Sequence, residues 1–422
     1  MTWRRGWSRA APARAIEPDR VGAPAEVCVV GAGIAGISAA LELARRGVKV
    51  TVIDRGPVAG GATGLGEGNV LCARAEPGPA LALTRLGRAL YDEIEAERGA
   101  VARIRRKGAL VLHHGEDGLR RGAEHVRRMR AAGVECRLVD VGELRAIEPH
   151  LSPALHGAEE FPGDLQCDPR AITVAMAEEV RARGGRIATG VEARALRVRR
   201  GRVVGIETAG EPIACGAVVL AAGAWSKALA ATAGLPLPVQ PRKGQLALTE
   251  PAPGLFGHKL IDGDYAAAAT SGDPGLAVAT VLESTWSGAV VIGSSRERRG
   301  FDTTVDPRVT DLVLERAAQV APVVAKLSVR RTWAGLRPFL PDHHPAIGPS
   351  RAVEGLWVST GHEGAGVALG PISGRLLAQA FCGEPASIDL APFAVDRFQD
   401  AAATRPAAPP STRGRPPPSG PR

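Results

Sequence analysis

An α/β fold with a second, strand-rich unit is predicted by three features of the chain. These are a strand-turn-helix-strand stretch over residues 26–54, a nearly continuous apolar run at IACGAVVLAAGAW, and strand after strand between 239 and 331. Glu26 to Val30 is a short run rich in β-branched residues, and Gly31, Gly33 and Gly36 follow it in G-x-G-x-x-G spacing. The helix opened there runs to Arg46 with Gly47 as its stop, and VKVTVI is the next strand. In a dinucleotide site the first glycine permits the tight turn. The second lets amides approach a pyrophosphate, and the third lets helix and strand pack closely. Asp54 ends the second strand, where a carboxylate can accept hydrogen bonds from ribose hydroxyls. Strand, helix and acid at these positions supply the context that a bare glycine motif lacks.

After Asp54 the stretch RGPVAGGATGLGEGNVLCAR has neither helical nor strand period, and its glycines can bring backbone against a ligand. Residues 80–97 are helical in pattern, KGALVLHH is a strand, and a basic helix covers 117–131. His113 and His114 are neighbours at a strand end, so they point to opposite faces and no joint metal site is expected from that pair alone. Asp168 and Pro169 open a helix in cap and first-turn positions, and Gly184 and Gly185 end it. RIATG, VEARALRVRRGRVVGIETA and IACGAVVLAAGAW follow as strands, the last reading as a buried parallel strand. KGQLALTE, DYAAAATS, GLAVATVLE and GAVVIGSS are strands of a separate antiparallel sheet, followed by a helix over 307–320. The chain closes with WAGLRPFLPDHHPAIG, the strand GLWVST, the turn GHEGAGVALG, and a helix from Pro371 to Cys382.

With 422 residues and 45% hydrophobic content the chain can bury two substantial cores. No apolar run is long enough to span a membrane. The formal charge of +9 sits mostly in the tails: residues 1–24 hold five Arg against one Glu and one Asp, and residues 403–422 hold four Arg and no acid. Residues 1–24 and 398–422 are expected to be disordered basic tails, and no nucleic-acid partner is expected. Acidic and basic residues interrupt any export-signal core near the start, so a reducing cytoplasm is the expectation. The six cysteines form no C-x-x-C or Cys/His cluster, so no metal site is expected. Cys28, Cys136 and Cys215 read as buried apolar residues.

In chain order, VVGAGIAGISAALELARRGVKVTVIDRG, GATGLGEGN, QCDPRAITVAMAEE, VVLAAGAWS, PRKGQ, WAGLRPFLPDHHPAIG and GHEGAGVALGPISGRLLA resemble the D-amino-acid oxidase superfamily. This is the FAD-dependent group of glycine and sarcosine oxidases and D-amino-acid or D-hydroxyproline dehydrogenases, and the likeness spans 25–397. It implies a discontinuous Rossmann-like FAD-binding domain over 25–100, 165–238 and 332–397. An interleaved antiparallel or mixed-sheet substrate domain would cover 101–164 and 239–331. By motif position, Gly31, Ala32, Gly33, Ile34, Gly36, Asp54 and Arg55 would hold the ADP half, with Val191 on adenine. Ala62, Thr63, Gly68, Asn69 and Val70 would line the pyrophosphate and flavin. Ala222, Gly223 and Trp225 would pass beside the cofactor, and Gly361, His362, Glu363, Gly364, Ala365, Gly366 and Val367 would run along the isoalloxazine.

The chemistry so implied is hydride transfer from the carbon bearing nitrogen of a small amino or imino acid to flavin N5. It asks for positioning and charge stabilisation more than for a strong base. Arg337 matches the arginine that binds substrate carboxylate in glycine-oxidase-like relatives, and its planar fork suits that task. His362 is either a hydrogen-bonding partner of flavin or substrate or a structural histidine. Tyr265 either bounds the pocket or packs in its strand. Lys243 either nears the flavin or is solvated, and His343 and His344 occupy a turn that could line the entrance. The helix after Pro371 would aim its amides at the reduced flavin.

Two departures sharpen the comparison. Sarcosine oxidases attach flavin through a cysteine that the stretch 335–340 lacks, so FAD is expected to bind noncovalently. Glycine oxidases commonly carry Arg where Gly364 stands. The GHEGAG form is more like flavin subunits of D-hydroxyproline or opine dehydrogenases, whose iron–sulfur partners are separate chains. A dehydrogenase is therefore the first expectation, a peroxide-forming oxidase the second, and a non-catalytic electron-relay subunit the third.

Overall fold

The computed structural model describes Asp19 and residues 25–263 and 275–399. The strand expected at DYAAAATS, with Tyr265, and nearly all of both expected tails lie outside these residues. The first sheet has a parallel core in the order Arg186–Thr189, Val50–Asp54, Ala25–Val30, Ile213–Leu220 and Leu356–Thr360. Ala346–Pro349 adds antiparallel to Leu356–Thr360, and the hairpin Ala193–Arg199 with Arg202–Thr208 pairs with the start of Ile213–Leu220. Period-two alternation sends Val27 and Val29 to one core and Cys28 and Val30 to the other. Helices Ile34–Arg45, Pro79–Arg98, Pro169–Ala182 and Gly366–Phe381 fill the first of those cores.

The second sheet is mixed, as expected. Its order is Val329–Phe339, Gln240–Pro251, Ala289–Arg296, Ala277–Ser284, Lys259–Asp262, Ala109–His114, Leu155–Phe161 and Arg137–Asp140. Lys259–Asp262 runs parallel to Ala109–His114, and the other pairs are antiparallel. The helix Pro307–Val320 covers it through Val313, Leu314 and Ala317. The strand Val329–Phe339 belongs here, so the chain re-enters the first sheet only after Phe339 and not at residue 332. Long-range pairing with Gln240–Pro251 decides this, and no local pattern reports it.

Most helix ends follow their local signals. Asp168 caps Pro169–Ala182 by accepting from the amides of Arg170 and Ala171, both at 3.1 Å. The last helix departs from expectation. It begins at Gly366, five residues before the proline taken as its first turn, so Pro371 lies inside it. A proline there leaves the carbonyl four residues earlier, that of Val367, without its amide. Tyr91 Oη donates to that carbonyl at 2.7 Å from a fully buried position. Tyr91→Phe is expected to cost about 1–3 kcal/mol of unfolding free energy, measured by urea denaturation, because the carbonyl is then buried without a donor.

Candidate active site

All five parallel strands end at one edge, and Gly31, Asp54, Val191, Ala221 and Thr360 at or just past those ends line one cavity of about 710 Å³. The opposite wall comes from the second sheet, through Gly244, Leu246 and residues 335–338. The three motif glycines divide the work at the floor. A Cβ on Gly31, whose φ is +115°, would stand 2.3 Å from the Ala221 carbonyl oxygen, and one on Gly36 would stand 1.9 Å from that of Gly31. Those two permit the strand-helix crossing. A Cβ on Gly33 would meet only Thr63 Oγ1, at 3.2 Å, so Gly33 keeps the floor open. Thr63 Oγ1 accepts from the Ile34 amide at 3.0 Å. Asp54 accepts from the amides of Ala32 and Gly56, each at 2.7 Å. Its pKa is nevertheless raised, because burial outweighs the two amides.

The glycine-dense stretch after Asp54 is ordered more than its sequence pattern suggests, containing the one-turn helix Ala62–Leu65 and the strand Asn69–Val70. It is tied down by Arg170 Nε to Gly64 O at 3.0 Å, Trp333 Nε1 to Leu65 O at 2.8 Å and Cys167 N to Gly68 O at 2.9 Å. Behind it lies a buried charge cluster. Lys259 Nζ bonds Glu67 Oε2 at 2.5 Å and Glu283 Oε2 at 2.8 Å, and Asn69 Nδ2 donates to Glu67 Oε2 at 2.7 Å. Gln166 Nε2 donates to the other oxygen of Glu283. Asn69 Oδ1, by contrast, is buried without a hydrogen-bond partner.

At the far end, Arg337 lines the cavity from the strand Val329–Phe339, its Nη1 donating to Ser295 O at 3.0 Å. Gly244 on the adjacent strand makes room for it: a Cβ there would stand 2.2 Å from Arg337 Nη1. Glu363 faces the same space and accepts from Arg242 Nη1 at 2.6 Å. Burial would raise the Glu363 pKa, yet the His343 hydrogen bond and the charges of Arg242, Arg296 and Arg337 bring it down to about 2. Sequence reasoning missed Arg74. Its guanidinium lines the cavity, and a Cβ on Gly364 would lie 3.4 Å from its Nη2 and 4.0 Å from Arg337 Cδ. A cation thus stands beside Gly364 after all, supplied by the last residue of the glycine-dense stretch. The absence of a side chain at 364 was the available signal.

His362 is buried, with Nε2 2.9 Å from Ser373 Oγ. The Ser373 hydroxyl donates to Leu369 O at 2.7 Å, so it accepts from Nε2–H and leaves Nδ1 as the acceptor nitrogen. Desolvation lowers the His362 pKa to about 4. Between pH 4 and 6.5 the unfolded chain therefore carries a proton on this ring that the folded chain does not. Stability rises with pH through that window and is lost as pH falls. The loss is about 3 kcal/mol, and His362→Gln is expected to flatten it, as read from urea midpoints at pH 7 and pH 4.5.

Of the other expected contacts, Gly33, Ile34, Arg55, Ala62, Thr63, Asn69, Ala222, Gly223, Trp225, Gly366 and Val367 line the cavity. Ala32, Gly36, Gly68, Val70, Gly361 and Ala365 do not; they shape the turns and packing beneath it. Trp225 lies under the Arg55 guanidinium at 4.1 Å and stacks on Phe301 at 5.3 Å. Lys243 is neither solvated nor in the cavity: it is 3% exposed and bonds Asp302 at 3.0 Å. His343 and His344 pack on Phe339 and Phe393 away from the lining. Tyr265 lies outside the described residues.

Two helices start at this one cavity, at Ile34, whose amide Thr63 takes, and at Gly366, so positive dipole ends serve both its floor and its far end. With the open Gly33 floor and the orphaned Asn69 acceptor, this fits an extended dinucleotide that carries a hydrogen-bond donor on its ring system. The family model for FAD dependent oxidoreductases, DAO, matches residues 26–380. The chain belongs to this family. This FAD-dependent oxidoreductase is 32% identical over 420 residues to hydrogen cyanide synthase subunit HcnC of Pseudomonas aeruginosa, covering 89% of this chain and 96% of that one. It is 28% identical over 434 residues to a D-amino acid dehydrogenase of Cereibacter sphaeroides, covering 88% and 95%. The glycine oxidase structure from Geobacillus kaustophilus superposes with a TM-score of 0.80 at 26% identity, covering 88% of this chain and 98% of that one. Among the described residues no helix is long and apolar enough to cross a membrane, and no group of His, Cys, Asp and Glu could hold a metal ion.

Proposed function

We propose that this enzyme oxidises the C–N bond of a small amino or imino acid bearing a carboxylate, acting as a dehydrogenase with noncovalent FAD. The observation that carries this is Arg337, whose guanidinium enters the cavity beside the turn 362–367 and is braced by Ser295 O. When bound, FAD supplies the hydride acceptor, and the imine left behind is hydrolysed by water. The Gly31–Gly36 turn, Thr63 and Asp54 would hold its ADP half, and Asn69 with the helix start at Gly366 would hold its ring system. Arg337 binds the substrate carboxylate in two parallel hydrogen bonds and so fixes which face of the carbon is presented. Arg74, across Gly364, adds a second positive charge at that end. The Arg242 pair keeps Glu363 from repelling the carboxylate. His362, neutral at pH 7, lines the cavity with an acceptor nitrogen and no charge.

Among the described residues that line the cavity there is no cysteine, which supports noncovalent binding. The likeness to a protein named as a subunit supports an acceptor on a separate polypeptide, such as an iron–sulfur chain, and a cytoplasmic setting suits the cysteine content. The test is anaerobic flavin bleaching against D-, L- and N-substituted amino acids, hydroxyproline included. An aerobic peroxide assay run with and without an artificial acceptor completes it. Bleaching with slow peroxide release is expected. Fast peroxide release from the isolated chain would make it an oxidase, and no bleaching by any substrate would leave only an electron-relay role.

A further inference from the structure

We infer that Glu67 receives the substrate nitrogen, so that the cavity holds a zwitterion between two poles, Arg337 for the carboxylate and Glu67 for the amine. This rests on the amino-acid chemistry proposed above and narrows it. Glu67 lines the same cavity as Arg337, from the loop that Trp333 ties to the strand carrying the arginine. It is one of two carboxylates on a single ammonium, for Lys259 bonds both Glu67 and Glu283. The side chains of Lys259, Glu67 and Glu283 are respectively 2%, 9% and 3% exposed, so the trio holds one net negative charge out of water. Glu283 alone neutralises Lys259. Within the trio Glu67 is the second carboxylate; Arg74 offsets its charge from outside the trio, and a bound ammonium would add to that balance.

Unused accepting capacity remains on Glu67, a residue of the cavity lining. Glu283 is occupied at both oxygens, by Lys259 and by Gln166. Glu67 uses only Oε2, for Lys259 and Asn69, and its Oε1 accepts no hydrogen bond from a described residue. A Cβ on Gly293 would lie 2.7 Å from that Oε1 and 2.4 Å from Leu246 Cδ2, which puts the free oxygen beside the second-sheet wall. A charged acceptor with an unused oxygen matches an N–H group of an ammonium or amine. Arg74 and Lys259 keep Glu67 ionised: burial would raise its pKa, but the lysine more than reverses this. The ammonium proton passes to solvent water before hydride transfer, and the same Glu67 oxygen then accepts from an N–H that remains on the neutral amine. A 2-hydroxy acid offers no positive charge here and is selected against.

The test uses the FAD-loaded enzyme and two ligands differing only in the amine. The first is the amino acid that bleaches wild type fastest and the second its amine-free carboxylate, beginning with D-proline and cyclopentanecarboxylate. Glu67→Gln is expected to raise the half-saturating amino-acid concentration for bleaching by about tenfold or more. The carboxylate's Kd, from perturbation of the flavin spectrum, should move by less than about twofold, and Glu67→Asp should recover part of the loss. Equal weakening of both ligands, or of neither, overturns the assignment while leaving the proposed reaction standing. A wild type bleached by no amino acid overturns both.

Discussion

Arg337→Ala should leave the bound-flavin spectrum unchanged while lowering kcat/KM by two orders of magnitude or more, equivalent to about 2.7 kcal/mol of lost transition-state stabilisation. The flavin signal is spared because the local charge pair survives: Glu363 keeps Arg242 at 2.6 Å, and His343 remains beside its other oxygen. What disappears is a charge-assisted fork between the guanidinium and the substrate carboxylate. Arg337→Lys should recover only part of the loss, since a single ammonium cannot make two parallel bonds. Steady-state kinetics on both variants check this. Unchanged kinetics in the alanine variant would transfer the carboxylate to Arg74.

The largest stability effect is expected at Lys259. Lys259→Met leaves Glu67 and Glu283 buried without their shared cation and should cost about 3–5 kcal/mol, measured from denaturant midpoints. Adding Glu283→Gln should restore a large part of that loss, because one buried carboxylate is then removed together with its counterion. A single variant as stable as wild type would mean that the cluster is hydrated and carries little net charge.

How much of this was legible depended on the range of the interactions. The Rossmann-like half was readable because its signals are local: glycine spacing, β-branched strands, and the Asp168-Pro169 cap all act within a few residues. Arg337 was found through the motif around it, although the strand bearing it belongs to the second sheet. The start of the last helix was not readable, since Pro371 looks like a first-turn proline and is tolerated inside the helix by a tyrosine that bonds Val367 from 276 residues away in sequence. Arg74, Glu67 and Lys243 were hidden for the same reason. Lys259 is 192 residues from Glu67, and Lys243 is buried only because Asp302 comes back to meet it. The sequence pattern around Glu67 did carry one hint: a carboxylate set between glycines in a ligand-facing loop has little reason to be there as a surface charge.

The cavity draws its two walls from separate sheets, the strand ends of the first and residues 240–251 and 329–339 of the second. An occupant touching both walls acts as a tie rod, and the free energy of loading it becomes cohesion between the halves. The thermal midpoint of the whole chain should then climb with the logarithm of carboxylate ligand concentration, even for ligands that are never oxidised. Turnover and mechanical integrity share one seam, and a mutation that loosens it would register first as lost cofactor and only later as lost chemistry.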